Sequence, residues 1–190
     1  MTVFQKFTDW WTEERGLSKA KLPDACAFST IDINGFPNAR YVSLKAVTHD
    51  GFLVTGPTNS RKGQEIKTDP KAALTFWWPE TERQVRIQGK ASFISNELAN
   101  TYFTNRNRAA QIVSTTFEQG QPIENLDLLK SKFYQQEQEL GDEIPMPKDW
   151  GGFLIQPIII EFMQFKATRL HERELYKLVE GSWRSTWLQP

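Results

Sequence analysis

The dipeptide Asn34-Gly35 is the feature that most limits the folds open to this chain. It separates two runs rich in β-branched and aromatic residues, Ala25 to Ile33 and Asn38 to Val47, and Asn-Gly supplies the positive-φ positions of a tight hairpin turn. Asp50-Gly51 then leads into a third run, Phe52 to Thr55. Three strands in hairpin succession, with no helix between them, make an antiparallel sheet and exclude a parallel α/β fold. Further strands are expected at Ala72 to Trp78, Arg83 to Ile94, Phe153 to Phe165, Thr168 to Val179 and Trp183 to Leu188, the last two joined by a turn at Glu180-Gly181.

Helices punctuate this pattern. From Val3 to Arg15, Phe4, Phe7 and Trp11 recur at helical spacing, with Thr2 and Gln5 set as a capping box and Gly16 as a stop. A short helix is expected from Ser60 to Lys67, closed by Asp69-Pro70, another from the N-cap Ser95 to about Asn105, and a more polar one from Asn125 to Leu140, ending at Gly141. Six or seven strands with a few peripheral helices suit a closed or nearly closed barrel, because closure removes exposed strand edges. The fold class is mainly β with peripheral helices, in one domain spanning residues 1–190.

Charge and cysteine content narrow the function. The 23 basic and 23 acidic residues cancel, and no run of like charge makes a nucleic-acid footprint. The longest apolar stretch, Ile158 to Ile160, is bounded by Pro157 and Glu161 and falls far short of a membrane span. Cys26, the only cysteine, has no internal disulfide partner, and the N-terminus has no signal-peptide pattern, so the cytoplasm is the expected compartment. Aromatic residues reach 13%, including seven Trp, enough to serve a core, an oligomer interface or a planar cofactor.

Four clusters could carry chemistry. Ser60-Arg61-Lys62-Gly63 puts two cations in the first turn of an expected helix, where the dipole disfavours them unless an anion is present; solvated surface cations, costing only about a few tenths of a kcal/mol, are the other reading. Arg40 and Lys45, at odd separation on one strand, fall on opposite faces unless a bulge rotates one. Tyr102 and Arg106 form an i, i+4 pair that could grip a phosphate oxygen or simply pack. Arg169, His171 and Arg173 share one side of an expected strand, where three potential cations suit an anion and the imidazole could orient substrate or move a proton. Dinucleotide, P-loop, nucleophile-elbow and zinc motifs are absent from the sequence.

Taken in order, these segments resemble the pyridoxine/pyridoxamine 5'-phosphate oxidase family from about Phe4 to Pro190. The anchors are Arg40 to Lys45, Ser60 to Gly63, Glu82 to Val85, Tyr102-Phe103 with Arg106, Trp150 to Phe153, Arg169 to His171 with Arg173, and Leu188 to Pro190. The resemblance implies a homodimer of FMN-binding split β-barrels of Greek-key type, oxidising a small phosphorylated pyridine by hydride transfer to flavin N5, with molecular oxygen as the final acceptor. It implies that Arg61 and Lys62 hold the flavin phosphate. On the same resemblance the strand Arg40, Tyr41, Val42, Ser43, Leu44 and Lys45, together with Gln84, Gln119 and Arg173, is expected to contact the rest of FMN. It further implies that Lys45, Tyr102 and Arg106 bind the substrate phosphate and that Arg169 and His171, the catalytic pair, cover the pyridine ring.

The chain departs from that pattern at five places. Ala110 stands where the family usually has a serine bonded to the substrate phosphate, and one charge-assisted contact is worth about 1.5–3 kcal/mol. Thr55-Gly56 replaces an aromatic-threonine pair near the flavin, Gly120 replaces a serine, and Met163 replaces a tryptophan beside FMN. The chain also begins almost at its first helix, without the family's N-terminal arm. The expected activity is therefore oxidation of pyridoxamine or pyridoxine 5'-phosphate. The alternatives are an FMN oxidoreductase acting on another small aromatic molecule, and a flavin carrier without turnover.

Overall fold

The computed structural model describes residues 1–190. In chain order the elements are α1 (Val3–Leu17), β1 (Ala25–Ile31), β2 (Pro37–Val47), β3 (Phe52–Pro57), α2 (Arg61–Thr68), β4 (Lys71–Trp78), β5 (Arg83–Phe93), α3 (Asn96–Thr104), α4 (Arg108–Thr116), α5 (Leu126–Glu139), β6 (Trp150–Gln164), β7 (Glu172–Val179) and β8 (Ser182–Leu188). The eight strands form one sheet in the order β3-β2-β1-β4-β5-β6-β7-β8. A further pairing of β3 with β6 closes the first six into a barrel, and the β7–β8 hairpin continues from β6. The order β3-β2-β1-β4 is a Greek key: two hairpins, then a strand that returns beside the first.

Hairpin chemistry sets the register. Asp32 opens the first turn, its carboxylate accepting the N–H groups of Asn34 at 2.9 Å and Phe36 at 2.8 Å. For this reason β1 ends at Ile31 and not at Ile33. Ala25 then pairs with Ser43 and Ile31 with Pro37. Between β2 and β3 the pairing jumps from Leu44/Val54 to Ala46/Leu53, which leaves Lys45 as the extra residue of a β-bulge.

Several expectations change at element ends. Thr2 caps α1 through Gln5 N–H at 3.1 Å, but the Gln5 side chain bonds Asp9, so only half of the capping box forms. Gly16 does not stop α1, which runs to Leu17. Each of the eight segments expected to be extended forms a strand, six of them closing the barrel, and a helix that the spacing does not announce, α4, follows α3 directly. The strand expected from Thr168 begins only at Glu172, because residues 166–171 form a turn: Arg169 N–H bonds Lys166 O and His171 N–H bonds Arg169 O.

The chain forms two compact units. The larger comprises Met1–Val54, Glu65–Ser92 and Phe153–Pro190, the smaller Thr55–Gln64 and Phe93–Gly152. Strand alternation fills the core of the larger unit with Phe28, Leu74, Phe76, Val85, Ile87, Ile160 and Phe162. Phe7 of α1 is fully buried against Phe52, Phe76 and Trp78, with ring centroids 4.8, 5.1 and 5.4 Å away. Glu14, also buried, fixes the other end of α1 by accepting the N–H groups of Glu80 and Thr81 and the Thr81 hydroxyl. Burial pushes the Cys26 thiol up to about 12, which makes it inert. The smaller unit packs Ala99, Phe103, Ile112, Ile144 and Trp150 together. No helix is long and apolar enough to cross a membrane.

Phe7 joins helix to barrel with no exposed surface, so Phe7→Ala is expected to lower stability by about 3–5 kcal/mol. Denaturant unfolding followed by far-UV circular dichroism measures this through the midpoint.

Candidate active site

In the smaller unit the loop before α2 is drawn tight. Thr58 bonds Asp149 O through its N–H at 2.7 Å and its hydroxyl at 3.0 Å, and Asn59 bonds the Asp149 carboxylate. Gly63 lies so close to this loop that a Cβ there would stand 2.0 Å from Thr58 O, so no other residue fits without moving backbone. The loop buries Lys62, only 7% exposed, whose ammonium donates to Ser60 Oγ at 2.9 Å and Gln119 Oε1 at 2.7 Å. Arg61 is exposed beside it. A desolvated ammonium and a guanidinium in one helical turn fit a phosphate group.

The same unit holds a second cation. Arg106 falls in the connector after Thr104, so Tyr102 and Arg106 are not an i, i+4 pair on one helix. Asn105 ends α3, and Asn107 starts α4 by accepting Ala110 N–H at 2.8 Å. The half-buried Arg106 guanidinium lies 5.1 Å from the centre of the Trp150 ring and donates to Ala110 O at 3.3 Å. Its Nε has no hydrogen-bond partner, and neither has the buried Trp150 Nε1. Burial lowers the Arg106 pKa from its ordinary value, yet a guanidinium keeps its charge in proteins. This is a partly desolvated cation on an aromatic platform with donor capacity to spare. Ala110 adds nothing more, since its N–H and C=O are both engaged. Tyr102 is half-buried on α3, and Gln119 and Gly120 are exposed in the loop after α4. Gly120 has φ of 87°, a left-handed conformation in which serine would be strained.

In the larger unit, β2 sorts its residues by alternation. Tyr41 and Lys45 are exposed, Val42 and Ser43 half-buried, and Leu44 buried. Arg40 is tied down, donating from Nη1 to Thr30 Oγ1 at 2.6 Å and Phe28 O at 3.2 Å and from Nη2 to Glu65 at 3.1 Å. Glu65 also accepts Asn38 Nδ2 at 2.8 Å and the Thr30 hydroxyl. Burial raises the Glu65 pKa; the bonds from Thr30, Asn38 and Arg40 and the Arg40 charge outweigh it and hold the carboxyl below its ordinary value.

A row of polar side chains crosses β5, β6 and β7. Gln84 Nε2 lies 3.8 Å from Met163 Sδ, a weak contact that leaves the amide donor available. Glu161, two residues from Met163 on β6, accepts Arg173 Nε at 3.0 Å and pairs with Arg86 Nη1 at 3.3 Å. At the tip of β6–β7, Arg169 is exposed with φ of 67°. His171 Nδ1 accepts Lys166 N–H at 3.1 Å, and its ring packs on Phe165 at 4.8 Å, which packs in turn on Trp77. Arg169, His171 and Arg173 therefore do not share one strand face: the first two belong to the turn and only Arg173 to β7. The sequence reading missed Glu65, Arg86 and Glu161 and named Trp150 only as an anchor of the resemblance; for the acids the available signal was a carboxylate beside apolar residues, as in Ile160-Glu161-Phe162.

The six-strand Greek-key barrel is the fold of the FMN-binding split-barrel proteins. Residues 18–138 match the family model of pyridoxamine 5'-phosphate oxidase, and residues 150–190 match the pyridoxine 5'-phosphate oxidase C-terminal dimerisation region. A pyridoxine/pyridoxamine 5'-phosphate oxidase of Zymomonas mobilis is 38% identical over 97% of both chains, and one of a Cyanothece species is 37% identical over 98% of this chain and 87% of its own. Among solved structures, PhzG from Burkholderia lata in complex with tetrahydrophenazine-1-carboxylic acid superposes with a TM-score of 0.89, 22% identity and coverage of 97% and 91%. A pyridoxamine 5'-phosphate oxidase-related, FMN-binding protein of Nostoc punctiforme gives 0.81, 19% and coverage of 100% and 98%. The chain belongs to the pyridoxamine 5'-phosphate oxidase family. It is an FMN-dependent oxidase, and FMN is its cofactor.

The Glu65 carboxyl titrates below its unfolded value, so the stability it contributes is present above the unfolded value of about 4.5 and is lost as pH falls through the lower, folded value. Glu65→Gln is expected to destabilise the protein most near neutral pH, with the difference from wild type shrinking below about pH 4.5. Urea unfolding of both proteins between pH 3 and 7 measures that difference; a constant offset at every pH would contradict it.

Proposed function

We propose that this oxidase converts pyridoxamine or pyridoxine 5'-phosphate to pyridoxal 5'-phosphate. The observation that carries the reading is Arg106: a partly desolvated guanidinium over Trp150, with an unpartnered Nε, is suited to a phosphate monoester. Curated relatives matched over 82% to 97% of their length carry the same activity in their names, which supports it. Lys45 and Tyr102 add an ammonium and a phenol to the substrate phosphate. Two copies of the chain form the working unit, residues 150–190 corresponding to the dimerisation region. The lone buried thiol, Cys26, is consistent with work in the cytoplasm.

FMN, when bound, supplies the two-electron acceptor at N5 for the hydride leaving the substrate's 4' carbon, and oxygen takes the electrons onward as hydrogen peroxide. The chain's own part is placement. Arg61 and Lys62 hold the flavin phosphate, with Lys62 already oriented by Ser60 and Gln119. Gln84 and Arg173 contact the rest of the cofactor, together with Arg40 to Lys45, Thr55, Gly56, Gly120 and Met163. Arg169 and His171 cover the pyridine ring. Because His171 Nδ1 accepts the Lys166 amide, a neutral imidazole carries its proton on Nε2, and that edge is the one offered to substrate. Bringing the 4' carbon to the acceptor and excluding water supplies much of the acceleration.

Ala110 favours a second reading, oxidation of another small aromatic molecule by the same flavin, because no hydroxyl is offered at that position. Adding pyridoxamine 5'-phosphate to the yellow protein without oxygen separates the two. Bleaching, recovery in air and formation of pyridoxal 5'-phosphate are expected; a flavin that stays yellow would overturn this substrate. Arg169→Ala is expected to retain FMN and to slow turnover on the order of a hundredfold. Wild-type kinetics in that variant would remove Arg169 from the site.

A further inference from the structure

The polar row on β5, β6 and β7 has a buried acid at its centre. Gln84 and Arg86 lie two residues apart on β5, as do Glu161 and Met163 on β6, and Met163 is the register partner of Arg173 on β7. The contacts 84 to 163 and 86 to 161 step along the two strands in antiparallel order. Glu161 is 7% exposed, while its neighbours Ile160 and Phe162 turn into the core. One of its oxygens takes both Arg173 Nε, at 3.0 Å, and Arg173 Nη2, at 2.8 Å; the other takes Arg86 Nη1 at 3.3 Å. Arg173 Nη1 donates to Gln189 O at 3.3 Å.

Burying a carboxylate in a strand costs desolvation that an apolar side chain of the same size would not, so stability alone does not account for Glu161. Orientation does. A guanidinium has five N–H groups, and these three contacts, two hydrogen bonds and the Nη2 ion pair, leave one on each terminal nitrogen of Arg173. Arg86 occupies the second carboxylate oxygen and so keeps Glu161 from rotating away. We propose that Glu161 is a positioning residue for the cofactor: it fixes the Arg173 guanidinium so that its two remaining N–H groups face the flavin, with Arg86 as the brace. This rests on the reading that Arg173 contacts FMN.

The test is FMN release on dilution of the holoenzyme, read by flavin fluorescence, for wild type, Glu161→Gln, Glu161→Leu, Arg173→Ala and the double variant Glu161→Gln with Arg173→Ala. Glu161→Gln is expected to weaken FMN binding about tenfold, the loss of one charge-assisted contact, and to shift the visible spectrum of the bound flavin. Glu161→Leu is expected to keep the thermal stability of the flavin-free protein and still bind FMN weakly. The double variant is expected to bind no more weakly than Arg173→Ala alone, because the acid acts through the arginine. Wild-type affinity in Glu161→Gln beside a loss in Arg173→Ala would overturn the positioning role, as would additive losses in the double variant. Wild-type affinity in Arg173→Ala would overturn the assignment of Arg173 itself.

Discussion

The pairing of β3 with β6 is the constraint on which the rest of the molecule depends. It turns an eight-stranded sheet into a closed ring of six, and closure gives the sheet an inside and an outside. Along β5 and β6 the inward positions Val85, Ile87, Ile160 and Phe162 are apolar. The alternating positions between them, Gln84, Arg86, Glu161 and Met163, are then free to be polar and to meet one another across the strands. A shift of one residue in the β5–β6 register would send Glu161 into the aromatic core. The barrel therefore specifies its polar outer face by the same alternation that fills its interior.

Two buried acids carry out related tasks on opposite sides of the sheet order. Glu65, reaching from α2, engages Arg40 of β2 with Thr30 and Asn38; Glu161, within β6, engages Arg173 of β7. Each converts a long, rotamer-rich arginine into a fixed arrangement of N–H donors, so that the entropy of ordering it is lost on folding and not on ligand binding. The bonds of Arg40 are spent largely inside the protein, on Phe28, Thr30 and Glu65. By the same count Arg40 and Arg173 each keep two N–H groups beyond these contacts, so both arginines stay able to reach a ligand.

How much was legible in the sequence depended on whether the determinant was local. The hairpins at Asn34-Gly35 and Glu180-Gly181 were readable because each turn carries a glycine that takes a left-handed backbone, Gly35 at φ of 83° and Gly181 at φ of 77°. The start of α2 at Arg61 was readable because a helix start is a local signal. The bulge at Lys45 was open as one of two readings, and only the pairing with β3 decided it. The turn at 166–171 was not readable: Lys-Ala-Thr-Arg-Leu-His contains no glycine, proline or asparagine, and its bonds run between its own backbone groups and His171. Helix α4 escaped because Asn107 follows Asn105 so closely that one capping residue hides the other. The acids Glu65 and Glu161 could not be assigned without register, since their partners lie on other strands.

Arg169 carries one further consequence. A left-handed backbone at a residue with a Cβ costs roughly 1–2 kcal/mol, and glycine or asparagine would take that conformation more cheaply. The turn is nonetheless short enough, and its bonds to Lys166 and His171 numerous enough, to hold an arginine there. A laboratory selection for thermal stability alone would gain by replacing this residue, as it would at Glu82 and Glu180, and the sturdier protein that resulted would have given up the one guanidinium that the fold holds under tension.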